Sequence, residues 1–425
     1  MFRFTDIIIF RITRDCNLSC KYCFMQNKHD FKGEIIDFEL FKKIITRIAE
    51  QQSLNRPGKR LNLVFHGGEA LLAGEHTLYK MYEYTKNTFD SFNVNHAFSI
   101  QTNATLIDEN IARVFNKFQV NVGLSFDGIN EGNSGRTSIK QDIFEEKFSI
   151  LKNNNVDTGL LIVASKVNID NIQETEKYLE EKYKFSSYKI NYSEDMINPG
   201  EDSEIEISGK EMFDKIFKLE IDKYIETGIM KEYHTDFMIK KSLVDILTDH
   251  ENVNRSGCTT KFCGAGVSMI AIEPDGEMDF CDRYSKKFPE VYMQHALDYD
   301  FLGLHQLNKV VKYNITKHNI YKEYHCDTCY ADYICDHGCE SFYYSKYGKY
   351  GIETRIVCDQ HKEFYGYVLK NVDKIARIYA NSNTNLRVDG NFLIKQNMFK
   401  FLSSKKIIMQ TEGNNIKFIN KEEQK

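Results

Sequence analysis

From about residue 4 to residue 195 the chain alternates short apolar, β-branched runs with amphipathic stretches, and this alternation limits the fold more than any other feature. Repeated units of that kind bury a parallel sheet behind crossover helices. The candidate strands are residues 6–12, 61–65, 97–101, 120–126, 158–164 and 188–192. Between them, residues 37–52, 77–89, 108–118, 141–153 and 171–184 carry apolar residues at three- and four-residue spacing, the period of a helix. The expected fold class is α/β, an open, partial (β/α)6 barrel.

In parallel sheets of this class, ligands collect at the carboxyl ends of the strands. The loop after the first strand carries Cys16, Cys20 and Cys23, spaced C-x3-C-x2-C. His66-Gly67-Gly68-Glu69-Ala70 follows the second strand, Thr102-Asn103 the third and Asp127-Gly128 the fourth, so four loops share one rim. Thiolates are the usual ligands of iron-sulfur clusters, and three of them leave one iron of a four-iron cluster open for chemistry. A structural zinc site is the rival, but it normally closes with four Cys or His ligands in paired units, and His29 would make an irregular fourth.

The formal net charge of -5 gives no electrostatic footprint for nucleic acid. Ile7-Ile8-Ile9-Phe10 is too short to span a membrane or to form a signal-peptide core, and Arg11 and Arg14 follow it at once. A cytoplasmic protein with neither nucleic-acid nor membrane partner is expected. Eleven cysteines without an export signal then point to thiols on metal rather than to disulfides.

Four segments are expected: a core at 1–204, a helical linker at 205–255, a cysteine-rich domain at 256–362 and a C-terminal part at 363–425. The linker reads as two charged helices, with Ile205, Met212, Ile216 and Leu219 on the first and Phe237, Ile239, Leu243 and Ile246 on the second. A helix is expected at 362–379 and a hairpin at 406–419, around Glu412-Gly413-Asn414. The first strand begins so near Met1 that no N-terminal recognition domain is expected.

The triad resembles the signature of the radical S-adenosylmethionine (SAM) enzymes, whose core is a partial TIM-type barrel. Gly67-Gly68-Glu69 resembles their second motif, a loop that holds the methionine amino group of SAM. The resemblance further implies that the backbone at Tyr22 meets the adenine and that Ser125 and Arg136 contact SAM. Downstream, Cys326-x2-Cys329-x5-Cys335-x3-Cys339 and Cys358, preceded by Cys258, Cys263, Gly276 and Cys281, resemble the SPASM domain of peptide- and protein-modifying members. By that resemblance Cys258, Cys263, Cys281 and Cys339 hold one auxiliary [4Fe-4S] cluster, and Cys326, Cys329, Cys335 and Cys358 hold another. With the SAM-binding cluster that makes three clusters and accounts for all eleven cysteines. Two four-thiolate zinc sites are the alternative for the downstream eight.

The eight downstream cysteines are most similar to those of the anaerobic sulfatase-maturating enzymes. There, an aspartate at the place of Asp282 is the proposed base. A carboxylate beside a cluster gains a raised pKa from burial and negative charge. Met25, the Ala70 that ends Gly-Gly-Glu-Ala, and 67 residues beyond Cys358 depart from that family's pattern. The implied activity is reductive cleavage of SAM to a 5'-deoxyadenosyl radical that takes hydrogen from a peptide or protein residue, with a low-potential donor such as flavodoxin or ferredoxin. Cross-linking during maturation of a ribosomally made peptide is the first expectation, and oxidation of Cys or Ser to formylglycine in a sulfatase the second. An iron-sulfur electron carrier or a zinc-stabilised binding module is the alternative of another class.

Overall fold

The computed structural model describes residues 5–23, 25, 34–136, 140–185, 187–193, 203–228, 232–233, 264–283, 292–298, 325–332, 335, 358–371, 374–375, 378, 407–412 and 415–420. It divides into one unit of Met1–Glu206 with Ser256–Ile315, and another of Ile207–Arg255 with Thr316–Lys425. Strands β1 (Ile7–Thr13), β2 (Leu61–Gly67), β3 (His96–Thr102), β4 (Asn121–Ser125), β5 (Thr158–Ala164) and β6 (Ser187–Tyr192) pair in parallel and in chain order. Helices α1 (Phe38–Asn55), α2 (Glu75–Ser91), α3 (Glu109–Phe118), α4 (Gln141–Asn153) and α5 (Ile172–Tyr183) fall between them, as the alternation requires. Helix starts are local decisions of the sequence: the Asp37 side chain accepts from Leu40 N at 2.9 Å, and Asp108 from Ile111 N at 2.8 Å.

The period-two alternation of a strand sorts side chains to the two faces of the sheet. Toward the helices stands an aromatic layer. Phe10 meets Phe41 of α1 at 5.4 Å, Phe65 stacks on Tyr82 of α2 at 4.6 Å, and Tyr82 meets Phe98 at 5.2 Å. On β2 the buried Leu61, Leu63 and Phe65 alternate with half-buried Asn62, Val64 and His66. Arg11, His66, Gln101 and Ser125 therefore share the face turned away from the helices, and that face is polar. One side of the sheet is a core and the other is equipped to receive a ligand.

The unit gains a seventh parallel strand that periodicity near the N-terminus did not foretell. β7 (Met269–Ile272) pairs with β1 on the edge opposite β2, with Ile7 beside Met269 and Phe10 beside Ile272. β8 (Glu277–Asp279) returns antiparallel to β7, and β9 (Tyr292–His295) pairs with β8. The Asp275-Gly276 hairpin expected ahead of Cys281 is present. Gly276 takes φ +85°, and a Cβ there would lie 2.4 Å from His295 Nε2, so only glycine fits. Because β7 joins β1, residues 256–315 group with the first unit rather than with 316–425.

In the second unit α6 (Gly209–Met212), a π-turn at Phe213–Phe217 and α7 (Lys218–Thr227) make one helical run, opened by a Ser208–Glu211 capping box. It packs on α8 (Asp359–Lys370) through Phe213 against Tyr367 at 5.7 Å and Phe217 against Phe364 at 5.6 Å. The expected C-terminal hairpin is β10 (Ile407–Glu412) with β11 (Asn415–Asn420). The second linker helix lies outside the described residues. Among the described residues no helix is long and apolar enough to cross a membrane.

Candidate active site

The cysteine loop has no regular structure of its own, and its shape comes from neighbouring loops. At its entrance Gly68 N donates to Thr13 O at 2.9 Å and Glu69 N to Asp15 O at 2.7 Å. A Cβ on Gly67 would sit 2.2 Å from Thr13 O, and one on Gly68 2.1 Å from Asp15 O. The two glycines are thus required by the approach of the chain to itself.

Glu69 is buried and ties three loops together. Leu71 N donates to its Oε1 at 3.0 Å, Thr102 Oγ1 to Oε1 at 2.7 Å, and Asn103 N to Oε2 at 2.7 Å. Burial pushes its pKa up, and the three donors pull against that. They occupy three of roughly four carboxylate acceptor positions, so one remains for an ammonium group. Asn103 continues toward the thiols: its Nδ2 donates to Asn17 Oδ1 at 2.8 Å and lies 3.8 Å from Cys16 Sγ. Asn17 in turn donates to Thr105 Oγ1 at 2.8 Å.

The exit of the loop is held by side chains. The Tyr22 hydroxyl donates to Asp127 Oδ2, and the Arg136 guanidinium lies 5.5 Å from the Tyr22 ring centroid. Asp127 Oδ1 accepts from Arg136 Nη2 at 2.9 Å and from Val163 N at 2.9 Å. Lys21 N donates to Gly135 O at 3.1 Å. Burial pushes the Tyr22 phenol well above its usual range, with the Asp127 charge acting in the same direction against Arg136. Ser125 stands on the polar face as expected, where its Oγ accepts from Gln101 Nε2 at 2.8 Å. Gly123 makes room for that glutamine, since a Cβ there would lie 2.2 Å from Gln101 Oε1.

The three thiols are electrostatic neighbours, Cys16 with Cys23 and Cys20 with both. Burial pushes the Cys20 thiol up to about 12, a state that a bound metal reverses. Three sulfurs on one loop, an amide N–H toward one of them and an exposed Cys16 make a donor set suited to a cluster with one corner open. Among the described residues no three Cys, His, Asp or Glu side chains close around one ion.

Cys281 and Asp282 end the β7–β8 hairpin, where His66 of the Gly-Gly-Glu loop and Arg11 of β1 both feel the Asp282 charge. In the second unit Cys326 opens a 3-10 turn, Cys329 closes it and Cys358 precedes α8. Cys326 is pushed up to about 12 by burial, with Cys329, Asp332 and Cys358 adding to it. Cys335 Sγ lies 3.2 Å from His361 Nδ1. Cys258, Cys263 and Cys339 lie outside the described residues. Sequence reasoning placed Asn103 and Asp127 on the rim without giving either a role, and it missed Gln101, Arg11 and Glu273. The only signal for them was polar residues at strand ends, Arg11 within Ile-Ile-Ile-Phe-Arg-Ile-Thr being the clearest.

Residues 10–179 match the family model described as the Radical SAM superfamily. An uncharacterised protein of Methanocaldococcus jannaschii is 30% identical over 178 residues, which is 40% of this chain but only 57% of that protein. A cysteine-type anaerobic sulfatase-maturating enzyme of Clostridium novyi is 24% identical over 382 residues, covering 88% of this chain and 96% of the enzyme. The solved structure of native anSMEcpe with bound AdoMet superposes with a TM-score of 0.71 at 22% identity, covering 89% of this chain and all of that one, a likeness of fold. The same protein with bound AdoMet and the Cp18Cys peptide gives 0.71 as well. Residues 10–179 are a radical SAM domain, and over most of its length the chain is similar to the cysteine-type anaerobic sulfatase-maturating enzymes.

Proposed function

We propose that this enzyme oxidises a residue of a peptide or protein by hydrogen abstraction, within a partial barrel followed by a SPASM-type region. The observation that carries the reading is the joining of the cysteine loop to the Gly67-Gly68-Glu69 loop by paired backbone hydrogen bonds on the rim of the polar face. A reduced [4Fe-4S] cluster with bound SAM supplies hydrogen-atom abstraction. Cys16, Cys20 and Cys23 would hold that cluster. Glu69 offers its remaining acceptor position to the amino group of SAM. Ser125, whose Oγ is already an acceptor for Gln101, turns its own proton toward the SAM carboxylate. Arg136, engaged with Asp127, acts by holding Tyr22 and the exit of the loop rather than by reaching the ligand itself. Asp282 accepts the proton that leaves the substrate carbon or heteroatom, beside His66.

Two further clusters follow the earlier assignment: Cys326, Cys329, Cys335 and Cys358 for one, and Cys281 with Cys258, Cys263 and Cys339 for the other. A flavodoxin or ferredoxin would deliver electrons in the cytoplasm. Anaerobic reconstitution followed by dithionite and SAM tests the reading. It expects 5'-deoxyadenosine and about twelve irons per chain, and zinc with little iron overturns it.

Peptide cross-linking remains the first choice of product. One observation favours formylglycine instead: the alignment runs nearly the whole length of the Clostridium novyi enzyme. Mass spectrometry after treatment with a hydrazide reagent separates them, since cross-linking and oxidation of serine both remove two hydrogens but only formylglycine leaves an aldehyde that the reagent captures.

A further inference from the structure

Arg11 ends the apolar part of β1 and Arg14 lies three residues on, just ahead of Cys16, yet both are buried against one carboxylate. Arg11 Nη1 donates to Glu273 Oε1, while Arg14 Nε and Nη2 each lie 2.8 Å from Glu273 Oε2. The side chains of Arg11 and Glu273 are fully buried, and that of Arg14 is 5% exposed. Such sets are seldom more stable than apolar packing of the same volume, because desolvating the charges costs as much as their attraction returns. Their best-attested use is to fix position.

Position is what this set controls. Glu273 follows β7 and is 262 residues from Arg11. It opens the turn that returns as β8, its N–H donating to Glu277 O at 2.8 Å and its carbonyl accepting from Gly276 N at 2.9 Å. Beyond β8 the same chain reaches Cys281 and Asp282. On the other side of the carboxylate, Arg14 is two residues from Cys16. One side chain thus stands between two ligand-bearing segments of the same unit.

We infer that Glu273 is a positioning residue that locks the strand leading into Cys16 to the hairpin ending in Cys281 and Asp282, and so fixes the spacing between the SAM-cleaving thiols and the groups that receive the substrate's electron and proton. The roles of those groups rest on the proposed function, whereas the clamp is a property of the metal-free chain.

The test is made on the full-length, reduced, metal-free protein by alkylating with iodoacetamide and reading each cysteine by mass spectrometry. In Glu273→Gln, Cys20, half-buried on the same loop as the exposed Cys16, and the buried Cys281 label about fivefold faster or more through local opening, while Cys326 and Cys329 keep their rates. Arg14→Met speeds Cys281 as well, although that thiol is remote in sequence. The double variant labels Cys281 no faster than the faster single variant, because both break one clamp. Equal acceleration of all four thiols, an unchanged Cys281 in Arg14→Met, or multiplied effects in the double variant overturn the inference. If Glu273→Gln does not fold, Arg14→Lys, which keeps the charge but loses the two-point contact, takes its place and must speed both Cys20 and Cys281. Reconstituted wild-type enzyme that forms no 5'-deoxyadenosine overturns the proposed function and leaves the labelling result in force.

Discussion

Cys16, Cys20 and Cys23 lie on an irregular loop shaped by side chains and backbone from three other loops, whereas Cys326, Cys329 and Cys358 sit on a 3-10 turn and at the head of a helix. The second group draws its rigidity from ordinary packing. Phe213, Phe217, Phe364 and Tyr367 join the helices, and Tyr330 Oη donates to Lys362 O at 2.7 Å to fasten the turn onto α8. The first group draws it from buried polar contacts, Glu69 at one end and Asp127 at the other. Apolar packing tolerates small adjustments, while a hydrogen-bonded carboxylate specifies one geometry. The contrast suits the proposed roles, in which the first loop presents an open corner to a ligand and the second set of thiols closes upon itself.

The largest effect that can break this comparison is on turnover. Cys16→Ala abolishes 5'-deoxyadenosine formation, whereas Cys326→Ala keeps SAM cleavage and loses about four of about twelve irons, as measured by nucleoside assay and iron counting on the same reconstituted samples. Equal losses in both variants would mean that the two thiol groups are not separate in function. Next comes the exit of the loop: Asp127→Asn removes the partner of a buried guanidinium and lowers unfolding stability by about 3 kcal/mol, read by denaturant titration. The corresponding change in the second group, Tyr330→Phe, deletes one hydrogen bond and costs about 1 kcal/mol. If the two variants cost the same, the polar and apolar modes of support are not distinguished.

The smallest effect lies away from both groups, at Glu145 between α4 and α5. Burial raises its pKa, but hydrogen bonds from Lys182, Tyr178 and Gln141 outweigh this and hold it down to about 2. A folded-state pKa below the unfolded one contributes stability at pH values above the unfolded pKa and loses it as pH falls toward 2. Glu145→Gln therefore flattens acid unfolding between about pH 4.5 and pH 2, by well under ~1 kcal/mol because solvent screens the pair. Iron content at neutral pH stays unchanged, which makes this variant the reference for the other four.

Much of the fold was legible because short-range patterning carries it. The apolar alternation located β1 to β6 and α1 to α5, with Thr158–Ala164 and Gln141–Asn153 matching residue for residue. The spacing of Cys16, Cys20 and Cys23 located the site, since three thiols in eight positions have few other uses. What stayed hidden depends on long-range register. No local signal pairs Met269 with Ile7, or carries Glu273 to Arg11 and Arg14. The pairing of Arg136 with Asp127 beside Tyr22 was hidden as well, because a one-dimensional pattern shows that an arginine is present and not which carboxylate claims it.

The pairing of β1 with β7 also bears on how the chain comes off the ribosome. At about 5–20 residues per second, the partner for the outer edge of β1 emerges roughly 10–50 s after β1 itself. During that interval Ile7 to Phe10 would offer an unpaired, strongly apolar edge to any neighbouring nascent chain. Arg11, enclosed in the finished protein, is then a bare cation at the end of that edge, and it discourages premature pairing until Glu273 arrives to neutralise it.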